Sequence, residues 1–543
     1  MIVKLKKSIL VLCALALLIL LNVLASLWVC RWDMTDDKRY TISAPTKQLL
    51  TDLDSTLTVT ILLDGDLNAN FTRLKKATNE LLDEFSVYAG EGIEIRKATE
   101  EQQARFAPIV IHENHKGKMV QMEAYPYALV EYRGKQRVVK MLQYKNGLNV
   151  EGNINHSIEV LEYQFIEAVR GLVQTKVAKV AFLEGHGELS EYEVYDLSLQ
   201  LSRYYQVDRG RLGNEVGVLD DYAALIIADP QKPFTEEEKY IIDQYVMQGG
   251  CVLWVLNGVQ FSSEMLQTGG ATPIVALDLN INDLLFRYGV RIHHGLVQDL
   301  QCLNMLMDVS LDEQQPNLQP VPWTYAPLLL TSQQSSITHE VELVSAKMAS
   351  AIDIVGGEDG IEKNILLATS TNSKITSVPA EVDLSFGIYD EQSFQYAYIP
   401  VAVSLEGEFP SLYAHLGAPE TVKTNASVIK KSVPTRQIVV AAGSTIRNDW
   451  QRNQPLPLGF DRNSGIQFGN RDFMVNAVLY LTDDEGWLQL RQKEVELRLL
   501  NKQRAQKMRV LAQMVSIVIP LALLLLVGCM VLLVRRIKNI HKS

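Results

Sequence analysis

The apolar positions of this chain fall into two regimes. Residues 8–29 and 510–534 are apolar on almost every face. Each run is long enough to cross a hydrocarbon core of about 30 Å at about 1.5 Å per helical residue. Between them, β-branched apolar stretches alternate with segments whose apolar residues recur every three or four positions. That alternation predicts strands followed by amphipathic helices, hence an α/β body held between two membrane-spanning helices.

Within residues 31–175, Ser43 followed by Ala44 and Pro45 predicts a capped helix start, running to about Leu53. Residues 57–63 read as a strand. Residues 70–88 read as a helix, with Phe71, Leu74, Leu81, Leu82 and Phe85 on one face. A strand at 92–97, a hairpin at 127–132 and 136–142, and a closing helix at 155–172 complete the unit. By analogy of element order this is a thioredoxin-like module. It has no CxxC: no cysteine lies between Cys30 and Cys251, which excludes thiol–disulfide chemistry.

Residues 176–486 predict a flavodoxin- or Rossmann-like parallel-sheet domain. Strands are expected at 176–183, 222–228, 251–256, 400–405 and 437–442, and helices at 192–205, 235–248, 278–288 and 472–482. Thr235 with three following glutamates opens one helix, and Gly249-Gly250 closes it. The stretch 271–435 reads as an insertion whose fold the pattern does not specify, and the Gln/Pro-rich segment 314–324 predicts a loop. Residues 487–509, charged with interspersed leucines, predict a juxtamembrane helix leading to the second span and the basic tail at 510–543.

Charge orients the chain. Residues 1–30 carry Lys4, Lys6 and Lys7 without an acid, and residues 510–543 carry Arg535, Arg536, Lys538 and Lys542 without an acid. The intervening residues 31–509 hold 45 basic and 63 acidic side chains, a net of −18. The lysines place residues 1–30, a tail and first span, with the N-terminus in the cytoplasm. A cleaved signal peptide fits less well, because the apolar run is long and no A-x-A site follows it. Two spans then return the C-terminus to the cytoplasm and leave 31–509 periplasmic, at a bacterial inner membrane. So acidic a body lacks the basic footprint that nucleic acid requires.

Of five cysteines, only Cys251 and Cys302 belong to the body, as two buried thiols or a single bridge. Candidate contacts for a ligand or partner lie where predicted strands end, the edge at which open α/β sheets bind ligands. Gly185-His186-Gly187-Glu188 follows the first strand of the domain, Asp229 the second, Asn257 the third, and Ser444 the last. The plainer reading of Gly185–Glu188 is a tight strand-to-helix turn with His186 paired to an acid. No catalytic residue, cofactor site or metal set is expected: His-x-Glu alone is a poor metal signature, His293-His294 is read as strand residues facing opposite sides, and no G-x-S-x-G, zincin or Walker motif occurs.

Several stretches together resemble the gliding-motility-associated GldG-type family: Asp33-x-Thr35 with Lys38-Arg39-Tyr40 and Ser43, Leu161–Phe165, Phe182–Glu188, Asn470 with Phe473, Asn476–Val478 and Tyr480-Leu481, and Arg498–Leu500. The resemblance covers nearly the whole chain. It implies a non-enzymatic, substrate-binding-like auxiliary component of an ABC transporter, partnered with a separate ATPase and a separate permease in the bilayer. Ile446-Arg447 after Ser444 departs from the apolar pair expected there. An envelope carbohydrate- or peptide-processing hydrolase and a transporter-independent envelope scaffold are the alternatives.

Overall fold

The computed structural model describes residues 41–483 and 509–540, apart from 66, 116–117, 145–147, 174–176, 263–270, 309–316, 340, 357–359, 383–389 and 423–426. The expected first span, the juxtamembrane helix up to 508, and Cys13 and Cys30 lie outside the described residues. Contacts divide the chain into two units. One holds the described helices α3 (Val150–Glu159) and α9 (Arg509–Ile540); the other holds residues 42–147 and 160–493. The single closing helix expected at 155–172 is therefore two helices, α3 and α4 (Leu161–Val173).

The N-terminal part of the larger unit begins with α1 (Ala44–Thr51), where the Ser43 hydroxyl accepts from the Thr46 N–H. Strands β1 (Leu57–Ile61) and β2 (Ile93–Lys97) run parallel, with α2 (Ala69–Tyr88) between them in sequence. Strands β3 (Tyr127–Tyr132) and β4 (Lys135–Lys140) form the expected hairpin, with β3 antiparallel to β1, so the sheet order is β2-β1-β3-β4. Arg133 and Gly134 turn the hairpin at positive φ. Helix α4 packs on β3 and β4.

The second part carries the large sheet. Its parallel strands are β5 (Lys179–Leu183), β6 (Gln206–Gly210), β7 (Tyr222–Ala228), β8 (Cys251–Val255) and β13 (Thr435–Val440). Four antiparallel strands extend it: β9 (Cys302–Asp308), β10 (Leu318–Thr331), β11 (Ile361–Ala368) and β12 (Pro400–Gly407). The order is β9-β10-β11-β12-β13-β8-β7-β5-β6. Because successive side chains alternate faces, each central strand feeds two cores. Phe182, Ile226, Leu253 and Val440 pack with α5 (Tyr195–Leu201) and α8 (Asn470–Thr482). Leu183, Ile227, Trp254 and Val439 pack with α6 (Glu236–Met247) and α7 (Asn282–Tyr288). Such two-sided burial is why these strands read as nearly continuous apolar runs.

The loop expected at 314–324 is in fact largely strand β10. Pro320 and Pro322 lie two residues apart, so their missing N–H groups fall on one edge only, and β11 pairs with this strand only at Leu330 and Thr331. Residues 259–382 add short antiparallel pairs around their own core of Val259, Ile274, Leu296, Trp323 and Ala326.

Candidate functional site

The C-terminal ends of β5, β7, β8 and β13 stand side by side, so the sheet gathers the sequence-derived candidates along one edge. At the end of β5 the chain turns through Gly185 (φ 131°) and Gly187 (φ 77°), conformations that exact little from glycine alone. Between them His186 is buried and stacked on Phe234 at 3.9 Å between ring centres. Its Nδ1 lies 2.9 Å from Glu188 Oε1, and its backbone N–H donates to Glu188 Oε2 at 2.7 Å. Its Nε2 lies 3.0 Å from Glu238 Oε2. Glu238 is also the third residue of α6 and completes a capping box, accepting from the Thr235 N–H at 2.9 Å. The imidazole is thus fastened to the start of α6. Burial lowers its pKa, and the two flanking carboxylates more than offset this and raise it above the ordinary value.

A second network joins the next three strands. Asp229 ends β7 at φ 55°, a left-handed position Asp tolerates better than most residues. Its buried Oδ1 accepts from Asn257 Nδ2 at 2.6 Å and from Gln231 Nε2 at 3.0 Å. Asn257 Oδ1 in turn accepts the Gly443 N–H at 2.9 Å. Arg447 stands farther off, with Nη2 3.8 Å from Asp229 Oδ2 and 3.4 Å from Glu193 Oε1. Burial pushes the Asp229 carboxyl up to about 6, against the pull of Arg447 and the two amide donors.

Ser444 does not face this network. Its hydroxyl donates to the Lys347 carbonyl at 2.9 Å and accepts the Lys347 N–H at 2.7 Å, which fastens a neighbouring segment to the sheet edge. The structure thus joins Asp229 and Asn257, links them to His186 through Gln231, whose N–H donates to the His186 carbonyl at 2.7 Å, and leaves Ser444 in a separate contact. Sequence reasoning gave no site role to Gln231, Glu238, Gly443 or Arg447. Of these, only Glu238 carried a readable signal, the spacing of a capping box after Thr235.

Beside this edge, Tyr192 and Tyr195 are exposed, and their rings lie 5.9 and 6.2 Å from that of Trp450. Trp450 Nε1 and Asn448 Nδ2 both donate to the Tyr192 carbonyl. His293 and His294 follow a strand that ends at Ile292 instead of lying on it. His294 Nδ1 is 3.0 Å from the Gly258 carbonyl oxygen, and Nε2 is 3.2 Å from Asn282 Nδ2. Cys251 and Cys302 are both free thiols, which removes the bridge alternative. Among the described residues no group of three or more His, Cys, Asp or Glu is placed to hold a metal ion.

A family model described as an ABC-type uncharacterized transport system, an auxiliary ABC-transporter component, matches residues 178–477. The chain belongs to this family. The matched span begins at the foot of β5 and ends within α8, so it takes in the large sheet and every candidate residue above. A second model, a domain of unknown function (DUF7088), matches residues 36–131. No curated protein matches the chain. Among solved structures, the mmIFT52 N-terminal domain is similar at 14% identity over 56% of this chain and 99% of that one, with a TM-score of 0.31, too slight a likeness to bear on the fold. In the smaller unit, Met514–Leu533 of α9 is a 20-residue stretch long and apolar enough to cross a membrane, none of it buried against protein.

Proposed function

We propose that this chain is a non-enzymatic, membrane-anchored auxiliary subunit of an ABC transporter, working beside a separate ATPase and a separate permease. The family match over 178–477 is the observation that carries the reading. The exposed apolar helix supports a membrane anchor, since a bare apolar helix of that length is costly in water. The topology with both termini cytoplasmic and residues 31–509 periplasmic rests on the basic residues flanking both apolar runs of the sequence. The strand order β2-β1-β3-β4 supports a thioredoxin-like N-terminal module, and the five parallel strands support a flavodoxin- or Rossmann-like sheet.

In this reading His186, Glu188, Asp229, Asn257 and Ser444 hold the sheet edge together, and the surface they support, with Tyr192, Tyr195 and Trp450, is where a partner or cargo is met. The hydrogen bonds of the candidates are turned inward to neighbouring side chains and backbone groups, which favours positioning over catalysis. The link to gliding motility rests on the motif resemblance. The test is affinity purification of the tagged full-length chain from native membranes. An ATPase and a polytopic permease should co-purify; if neither does, the reading fails. A reporter inserted near residue 300 should be active only outside the cytoplasm.

A further inference from the structure

A second site lies away from the strand ends. Between α4, the start of β5, the end of α5 and the end of α8 there is a cavity of about 240 Å³. The apolar part of its wall includes Ile166, Val177 and Leu479. Its charged part includes Arg137, Arg170 and Arg203 against Glu167 and Asp483, a net positive lining.

Arg137, on β4, sets this cavity apart. No hydrogen bond or ion pair to its guanidinium is found among the described residues. It lies over Gly171 in the last turn of α4. A Cβ at Gly171 would overlap the guanidinium carbon and both terminal nitrogens. Glycine inside a helix is unfavourable, and here its effect is to let a cation lie close against the helix backbone at the cavity wall. Nearby, the Tyr205 hydroxyl pairs with Thr482 Oγ1 at 2.5 Å and burial pushes its pKa up to about 12, so it stays neutral and adds no competing negative charge.

From this geometry we propose that the cavity binds a compact organic anion, a carboxylate or phosphate monoester, with the anionic group on Arg137 and an apolar body against Ile166, Val177 and Leu479. A guanidinium without a carboxylate partner at a half-enclosed wall matches the planar fork by which arginine takes such groups. The net positive lining favours the anion, and the apolar wall distinguishes an organic anion from a bare inorganic one. The proposal does not depend on the transporter reading.

The experiment is calorimetric titration of the purified full-length chain in detergent with phenyl phosphate, benzoate, inorganic phosphate and neutral benzyl alcohol. Phenyl phosphate or benzoate should bind saturably at one site, at least tenfold more tightly than benzyl alcohol or inorganic phosphate. Arg137→Gln should weaken that binding at least tenfold, and so should Gly171→Ala, which displaces the guanidinium while favouring the helix. Arg133→Gln, on the same hairpin and paired with Asp54 outside the cavity, should leave it unchanged. Thermal midpoints report that each variant is folded; should Arg137→Gln not fold, Gly171→Ala decides. Absence of saturable binding by both organic anions, equal binding of benzyl alcohol, or undiminished binding by folded Arg137→Gln or Gly171→Ala would each overturn the proposal.

Discussion

Ser43 and Glu162, 119 positions apart, meet where the Ser43 backbone N–H donates to Glu162 Oε1 at 2.7 Å. The same oxygen accepts from the Thr46 hydroxyl at 2.8 Å, so one buried carboxylate ties the start of α1 to the start of α4. Both residues belong to stretches singled out in the sequence; the contact accounts for the glutamate, while the Ser43 hydroxyl serves by accepting the Thr46 N–H. Glu162→Ala should destabilise the larger unit by about 2–3 kcal/mol, because two donors lose a charged acceptor in a buried place. Glu162→Gln, which keeps an acceptor oxygen, should cost less. Denaturant unfolding followed by tryptophan fluorescence measures both, and equal losses would contradict this account.

Gly443 lies so close to Asp229 that a Cβ there would overlap the whole carboxyl group. Gly443→Ala should therefore destabilise the domain by about 1–3 kcal/mol, the usual range for overpacking a filled interior. Calorimetric melting of the variant checks this; an unchanged midpoint would mean that the sheet edge gives way freely.

The Asp229 carboxyl, raised by burial to about 6, binds its proton more tightly folded than unfolded. Its contribution to stability is greatest in acid, falls as pH rises from about 4 to about 6, and is flat above that. Asp229→Asn keeps an acceptor for Asn257, suits the left-handed backbone, and removes this penalty. The variant should gain on the wild type by about 2–3 kcal/mol between pH 4 and pH 7.5, from a two-unit shift at about 1.4 kcal/mol each. Melting curves at the two pH values test it, and parallel wild-type and variant profiles would refute it.

His186 behaves in the complementary way. Glu188 and Glu238 raise its folded pKa, so its charged contacts stabilise fully below the unfolded value of about 6.5 and fade as pH passes the raised folded value. Glu238→Gln retains the cap on α6 but loses one carboxylate. It should cost about 1–2 kcal/mol at pH 6 and much less at pH 9. Unfolding by denaturant at both pH values is the measurement; a cost independent of pH would show that only the cap matters.

Much of the local structure was legible from spacing alone. The helix start at Thr235, the strand 222–228 and the hairpin turn at Arg133-Gly134 depend on residues within a few positions of one another, and they stand where the pattern put them. Strand β10 did not, because prolines at 320 and 322 read as loop until the pairing partner on each edge is known. The break between α3 and α4 was also hidden, since the apolar spacing of Ile158, Leu161 and Phe165 runs straight through it.

The candidate site divides in the same way. Sequence alone set the glycines of the turn at His186, the acids that open α6, and the placing of Asp229, Asn257 and Ser444 at strand ends, because strand termini follow from local periodicity. Only the tertiary structure decided that Asp229 and Asn257 share a hydrogen bond, that Ser444 turns to Lys347, and that Arg137 lies across Gly171. Those relations come from the order in which strands line up and the distance at which helices pack. Neither is written in any short window of residues, since both are settled by contacts between residues from 28 (Asp229 and Asn257) to 97 (Ser444 and Lys347) positions apart.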